Sequence, residues 1–247
     1  METIAVKDVS KTFKIGFKRN QTALERFFSF FSEREPKRVL QVLNGISFTA
    51  KEKEIIGIIG RNGSGKSTLL RIIAGIIDKD SGYVETQGKV IAIINLSAGI
   101  KERLTMRDNI FLLCTFLGLS QNEIKRKFGS IVKFAELDKF VNTKWYQFSD
   151  GMKQRAVFSM AFHANPEILL LDEAFAVGDE HFRKKCLENI DKLAKNGSTI
   201  LLAGHNLPII EENCHRTIWI DKGRIKLQGR TKTVIEKYKN YERRSFH

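Results

Sequence analysis

Apolar and polar positions alternate at the start of the chain, around Ile4, Val6 and Val9, and predict a strand over residues 1–13. A second strand signal runs from Val39 to Phe48. Between them Leu24, Phe27, Phe28 and Phe31 recur at i, i+3, i+4 and i+7, an amphipathic helix over about 20–35 that Pro36 closes. Lys18, Arg19, Arg34, Lys37 and Arg38 flank it. The continuous apolar run Ile55–Ile59 reads as a buried strand, followed by a glycine loop, a helix from Ser67 to Ile77 and a turn at Asp78–Gly82. Helical spacing then dominates 105–163, through Ile110, Leu113 and Leu117 and again through Ile124, Phe128, Ile131 and Phe134. Beyond it come a strand (Ile168–Leu171), a helix (His181–Ala194), a strand (Thr199–Ala203) and a hairpin-like tail around Asp221-Lys222-Gly223. Strands alternating with helices predict an α/β fold on a mostly parallel sheet.

Composition narrows the field. The 247 residues, 42% hydrophobic and 28% charged, suit one good-sized domain with an insertion. No apolar run reaches the roughly 18 residues of a membrane span, and METIAVKDVSK lacks the apolar core of a leader, so the chain is expected to stay on the side where it is made. Cys114, Cys186 and Cys214 are odd in number and widely spaced, which suits buried thiols better than disulfides or zinc. A formal charge of +14 favours polyanionic ligands, anionic lipid or nucleic acid without choosing among them.

The chemistry concentrates in three places. Gly60-Arg61-Asn62-Gly63-Ser64-Gly65-Lys66-Ser67-Thr68 fits GxxxxGK[ST] between a strand and a helix. Its glycines let backbone N–H groups wrap phosphates, Lys66 is placed to reach the β and γ phosphates, and the Ser67 hydroxyl is placed to ligate Mg²⁺. ATP with Mg²⁺ is therefore the expected ligand. Asp172 and Glu173 close a buried strand, where sheet enzymes hold ligands; Asp172 suits Mg²⁺, and Glu173 suits a general base for the attacking water. His205, after the next core strand, is placed to reach the γ phosphate.

The segment Tyr146-Gln147-Phe148-Ser149-Asp150-Gly151-Met152-Lys153-Gln154 resembles the LSGGQ signature of ABC ATPases. That resemblance implies a P-loop NTPase with a RecA-like core, an antiparallel β edge and an inserted helical subdomain at about 97–163, within a single nucleotide-binding domain over 1–247. It also implies a head-to-tail homodimer, in which Ser149, Asp150, Gly151 and Met152 of one subunit face the ATP held by the other. Asp150 stands where Ser or Gly is usual, and its carboxylate must point away from phosphate. Ala176-Val177-Gly178-Asp179 resembles the family's D-loop, and His205 matches its switch histidine. Where the family carries a glutamine that links Mg²⁺ to the membrane subunit, this chain has Asn95 or Leu96, and Asn95 is no more than a short substitute. Phe13, with Phe17 in reserve, is the aromatic expected to stack on adenine.

Asp172–Cys186, the tail Lys222–Gly229 with Val234–Tyr238, and Leu104-Thr-Met-Arg-Asp-Asn-Ile110 are similar to the branch that exports lipid-linked polysaccharide, namely O-antigen, capsule or teichoic acid. The branch implies two copies of a polytopic permease as partners, a lipid-linked glycan reaching them, and a peripheral site on the cytoplasmic face of the inner membrane. It also places the Leu24–Phe31 stripe beside lipid headgroups; packing on its own domain is the alternative. The carbohydrate-binding domain that some O-antigen ATPases carry after this point is expected to be missing here, either by nature or by truncation. A drug exporter or importer remains a competing transport reading. A soluble ABC ATPase acting on nucleic acid is a further one, but two fused ATPase units or long coiled-coil insertions usually accompany it and this chain has neither, so no nucleic acid is expected.

Overall fold

The computed structural model describes residues 1–15, 38–94, 99–172 and 179–245. The Leu24–Phe31 stripe, Phe17, Asn95, Glu173 and Gly178 fall outside these.

Strands β1 (Glu2–Ile15) and β2 (Arg38–Lys51) pair antiparallel, and β3 (Ile55–Ile59) leads through the glycine loop into α1 (Lys66–Ile73). Next come β4 (Ser81–Thr86), β5 (Val90–Ile93) and three helices: α2 (Met106–Phe116), α3 (Gln121–Ala135) and α4 (Asp150–His163). The chain returns through β6 (Ile168–Asp172), α5 (Glu180–Lys195), β7 (Thr199–Ala203) and α6 (Leu207–Asn213), then ends in β8 (Arg216–Asp221), β9 (Arg224–Arg230) and α7 (Thr231–Ser245). One sheet, ordered β2-β1-β4, is antiparallel. The other is ordered β5-β6-β7-β3-β8-β9 and is parallel except for the β8–β9 hairpin at its edge.

The central parallel strands β3, β6 and β7 are buried on both faces, so they read as mostly apolar runs instead of alternating ones. On β6 the two faces feed different cores. Ile168 and Leu170 pack in the cluster that holds Leu69, Leu70, Ile72 and Ile73 of α1, while Leu169 and Leu171 join the cluster that reaches α2, α3 and α4. Helices α2 and α3 each open with a capping box, Thr105 with Asp108 and Ser120 with Glu123, in which the hydroxyl accepts a backbone N–H and the carboxylate accepts from the cap residue's own N–H.

Three expectations need correction. Helix α1 ends at Ile73 and not at Ile77, because Gly75 takes φ +68 and donates to the Ile72 carbonyl at 3.0 Å, a left-handed stop. Strand pairing with β1 begins inside the expected Asp78–Gly82 turn, at Ser81 opposite Ser10. The tail is longer than a hairpin, since α7 follows it and buries Val234 and Ile235.

Candidate ATP site

The order β6-β7-β3 sets three parallel strands side by side, so their C-terminal ends share one edge of the sheet. The glycine loop leaves β3 there, Asp172 closes β6 there, and His205 follows β7 on the same edge, exposed just before the α6 cap Asn206. This is where ligands bind in open α/β sheets. Asp172 lies two residues beyond Leu170, on the parity that faces α1, the helix that carries Ser67 in its first turn.

The loop is built around backbone. Gly63 and Gly65 have φ of +77 and +107, and a Cβ on Gly60 would collide with the Ile220 carbonyl. Gly65 is the N-cap of α1 and offers no side chain to its N–H groups, so the helix opens on uncapped donors. Lys66 is buried, and its ammonium donates to the Gly60 carbonyl at 2.9 Å and the Arg61 carbonyl at 3.2 Å. The Ser64 hydroxyl is buried without a hydrogen-bond partner. Arg61 and Asn62 are exposed at the loop's crest, and Arg61 Nε donates to Glu242 on α7 at 2.7 Å. Ser67 and Thr68 are half-buried. A buried cation, uncapped helix N–H groups and close-approach glycines form a cradle for a polyphosphate. Ser67 and Asp172 offer two oxygen donors, a set that fits Mg²⁺, which takes its remaining ligands from phosphate and water. Phe13 is exposed on β1, with Lys11 Nζ 5.5 Å from its ring centroid.

Ser149 lies on the helical layer and caps α4, its hydroxyl accepting from the Met152 N–H at 3.3 Å. Asp150 is exposed in the first turn of α4, where its carboxylate suits the helix dipole, and a Cβ on Gly151 would come no nearer to a neighbour than 4.0 Å, to the Ser149 hydroxyl. Asp179 caps α5 by accepting from the Phe182 N–H at 2.8 Å, the main reason its carboxyl sits below the usual range, with Arg155 adding to the effect. Arg155 also pairs with Glu136, the C-cap of α3, at 3.0 Å. Thus one guanidinium joins α3, α4 and α5. Sequence reading missed Arg155; its signal was its place six residues after Ser149, just beyond the signature-like stretch.

The ABC transporter family profile matches residues 43–176, more than half of the chain. The chain belongs to the ABC transporter family. Within that family it is 39% identical over 212 residues to the O-antigen export system ATP-binding protein RfbB of Klebsiella pneumoniae, covering 83% of this chain and 86% of that protein. It is 40% identical over 238 residues to the teichoic acids export ATP-binding protein TagH of Levilactobacillus brevis, covering 96% of this chain and 65% of that protein. Among solved structures, a dimeric ATP-binding cassette in a post-hydrolysis state with ADP and Pi superposes with a TM-score of 0.76 at 24% identity, over 92% of this chain and 98% of that one. This likeness establishes an ABC cassette fold with its mixed, mostly parallel sheet.

Proposed function

We propose that the chain is the ATP-hydrolysing subunit of an exporter that moves a lipid-linked polysaccharide, of the O-antigen, capsule or teichoic acid kind, across the cytoplasmic membrane. The observation that carries this reading is the match, over most of the chain, to ATP-binding proteins of O-antigen and teichoic acid export systems. No helix among the described residues is long and apolar enough to cross a membrane. In this reading a separate permease supplies the path for the glycan, and the homodimer engages two copies of it from the cytoplasmic side.

In this reading the loop 60–68 binds the phosphates through its N–H groups, Lys66 neutralises the β and γ phosphates, and Ser67 with Asp172 holds Mg²⁺. The metal supplies charge neutralisation across the phosphate oxygens. Glu173 takes the proton of the attacking water as its oxygen bonds phosphorus and the bond to ADP breaks, while His205 orients the γ phosphate. Ser149 and Gly151 of the partner subunit close the site, Gly178 and Asp179 join the two sites, and Phe13 stacks on adenine. The test is co-purification with a polytopic membrane subunit followed by ATP-driven export of a defined glycolipid from vesicles. Hydrolysis without glycolipid movement, or failure to bind any such subunit, would overturn the export reading.

A further inference from the structure

The β8–β9 turn lies against the phosphate loop and is tied to it by backbone. The Gly223 N–H donates to the Ser64 carbonyl at 3.1 Å, and the Gly223 carbonyl accepts from the Asn44 N–H of β2 at 2.8 Å. Gly223 therefore bridges the loop to the antiparallel sheet. Only glycine fits there: φ is +76, and a Cβ would stand 2.5 Å from the Val42 carbonyl oxygen. The side chains repeat the tie, since Asn44, with its amide oxygen turned to the guanidinium, accepts from Arg224 Nε at 3.1 Å and Nη2 at 2.6 Å. The same hairpin approaches the loop again where the Ile220 carbonyl meets Gly60. Helix α7, held through Tyr238 and Tyr241 against Trp219, sends Glu242 to Arg61.

Peptide geometry turns this tie into a functional constraint. The Ser64–Gly65 peptide is planar and trans, so its carbonyl and its N–H point in opposite directions. With the Ser64 carbonyl drawn toward Gly223, the Gly65 N–H faces away from the hairpin, on the side where a phosphate must sit. A peptide free to turn over would present a carbonyl dipole to the anion in place of a donor. We infer that Gly223 is a positioning residue for nucleotide binding, acting through the Ser64–Gly65 peptide to aim the Gly65 N–H at the phosphates. This inference rests on ATP binding at the loop.

The test uses the full chain and two variants, Gly223→Ala and Arg224→Ala, the second of which leaves the left-handed turn intact. MgATP affinity is measured by calorimetry, and amide hydrogen exchange is followed in nucleotide-free protein. Expected are a Kd raised about tenfold by Gly223→Ala and roughly threefold by Arg224→Ala, with faster exchange confined to the loop and β3 and β7 still protected. Affinity within about twofold of the unsubstituted protein in both variants would overturn the inference. So would faster exchange spread through β3 and β7 with the affinity of the folded fraction unchanged, because Gly223 would then serve only the turn. If Gly223→Ala does not fold, Arg224→Ala decides alone. Failure of the unsubstituted protein to bind MgATP would instead overturn the parent reading.

Discussion

At the scale of single residues, the chemistry separates binding from turnover. Lys66→Ala removes the one buried cation of the cradle and is expected to weaken ATP binding on the order of 100-fold, read by equilibrium titration. Glu173→Gln should bind ATP normally yet lose roughly 100- to 10,000-fold in phosphate release, as expected for a general base. Near-normal hydrolysis would refute that role. Asp80 gives a prediction about pH. Hydrogen bonds from Lys11 Nζ at 2.8 Å and from the Thr12 hydroxyl and N–H at 2.6 Å hold its carboxyl down at about 2. A carboxyl lowered in the folded state stabilises above its unfolded pKa, near 4, and that contribution fades as pH falls through 2. Asp80→Asn should therefore lower the melting temperature at pH 7 and cease to matter by pH 2, as read by thermal melts across the range. Burial pushes all three cysteine thiols up to about 12, which bears out their reading as buried hydrophobes.

Elements differ in how openly the sequence declares them. The strands β3, β6 and β7 and the loop after β3 were legible because a fully buried parallel strand is an apolar run and a phosphate loop is a fixed spacing. Strand β4 was not, because Ser81–Thr86 is mostly exposed and shows no clean alternation. Helix α1 was overextended because Ile76 and Ile77 continue its apolar rhythm past Gly75. Helix α7 hid behind its lysines and arginines, with few buried positions. Caps offer an element-scale test. Ser120→Ala and Ser149→Ala each remove a helix N-cap and should cost about 1 kcal/mol in denaturant titrations. Only the second should also abolish ATP-dependent dimerisation. If both leave dimerisation intact, Ser149 is a cap and nothing more.

For the whole molecule, the apolar cluster that runs from β6 through Trp145 and Phe148 into α2, α3 and α4 makes the helical layer and the sheet share one interior. A single cooperative melt is expected, and Ile131→Ala, fully buried in α3, should destabilise the whole by about 2–5 kcal/mol and not merely fray that helix. Calorimetry with two resolved transitions would contradict this. The proposed pairing of two subunits rests on the signature-like residues alone, because a task that lies across an interface is not encoded in one chain's periodicities. The same limit applies to the proposed glycan, which would meet the permease.

Arg155 carries this coupling outward. Its guanidinium grips the end of α3 and the beginning of α5 at once, and Asp179 follows Glu173 by six positions in the sequence. If the export reading holds, a force that a membrane partner exerts on the helical layer would reach the start of α5 through that guanidinium, so that stroke and chemistry would share a common linkage.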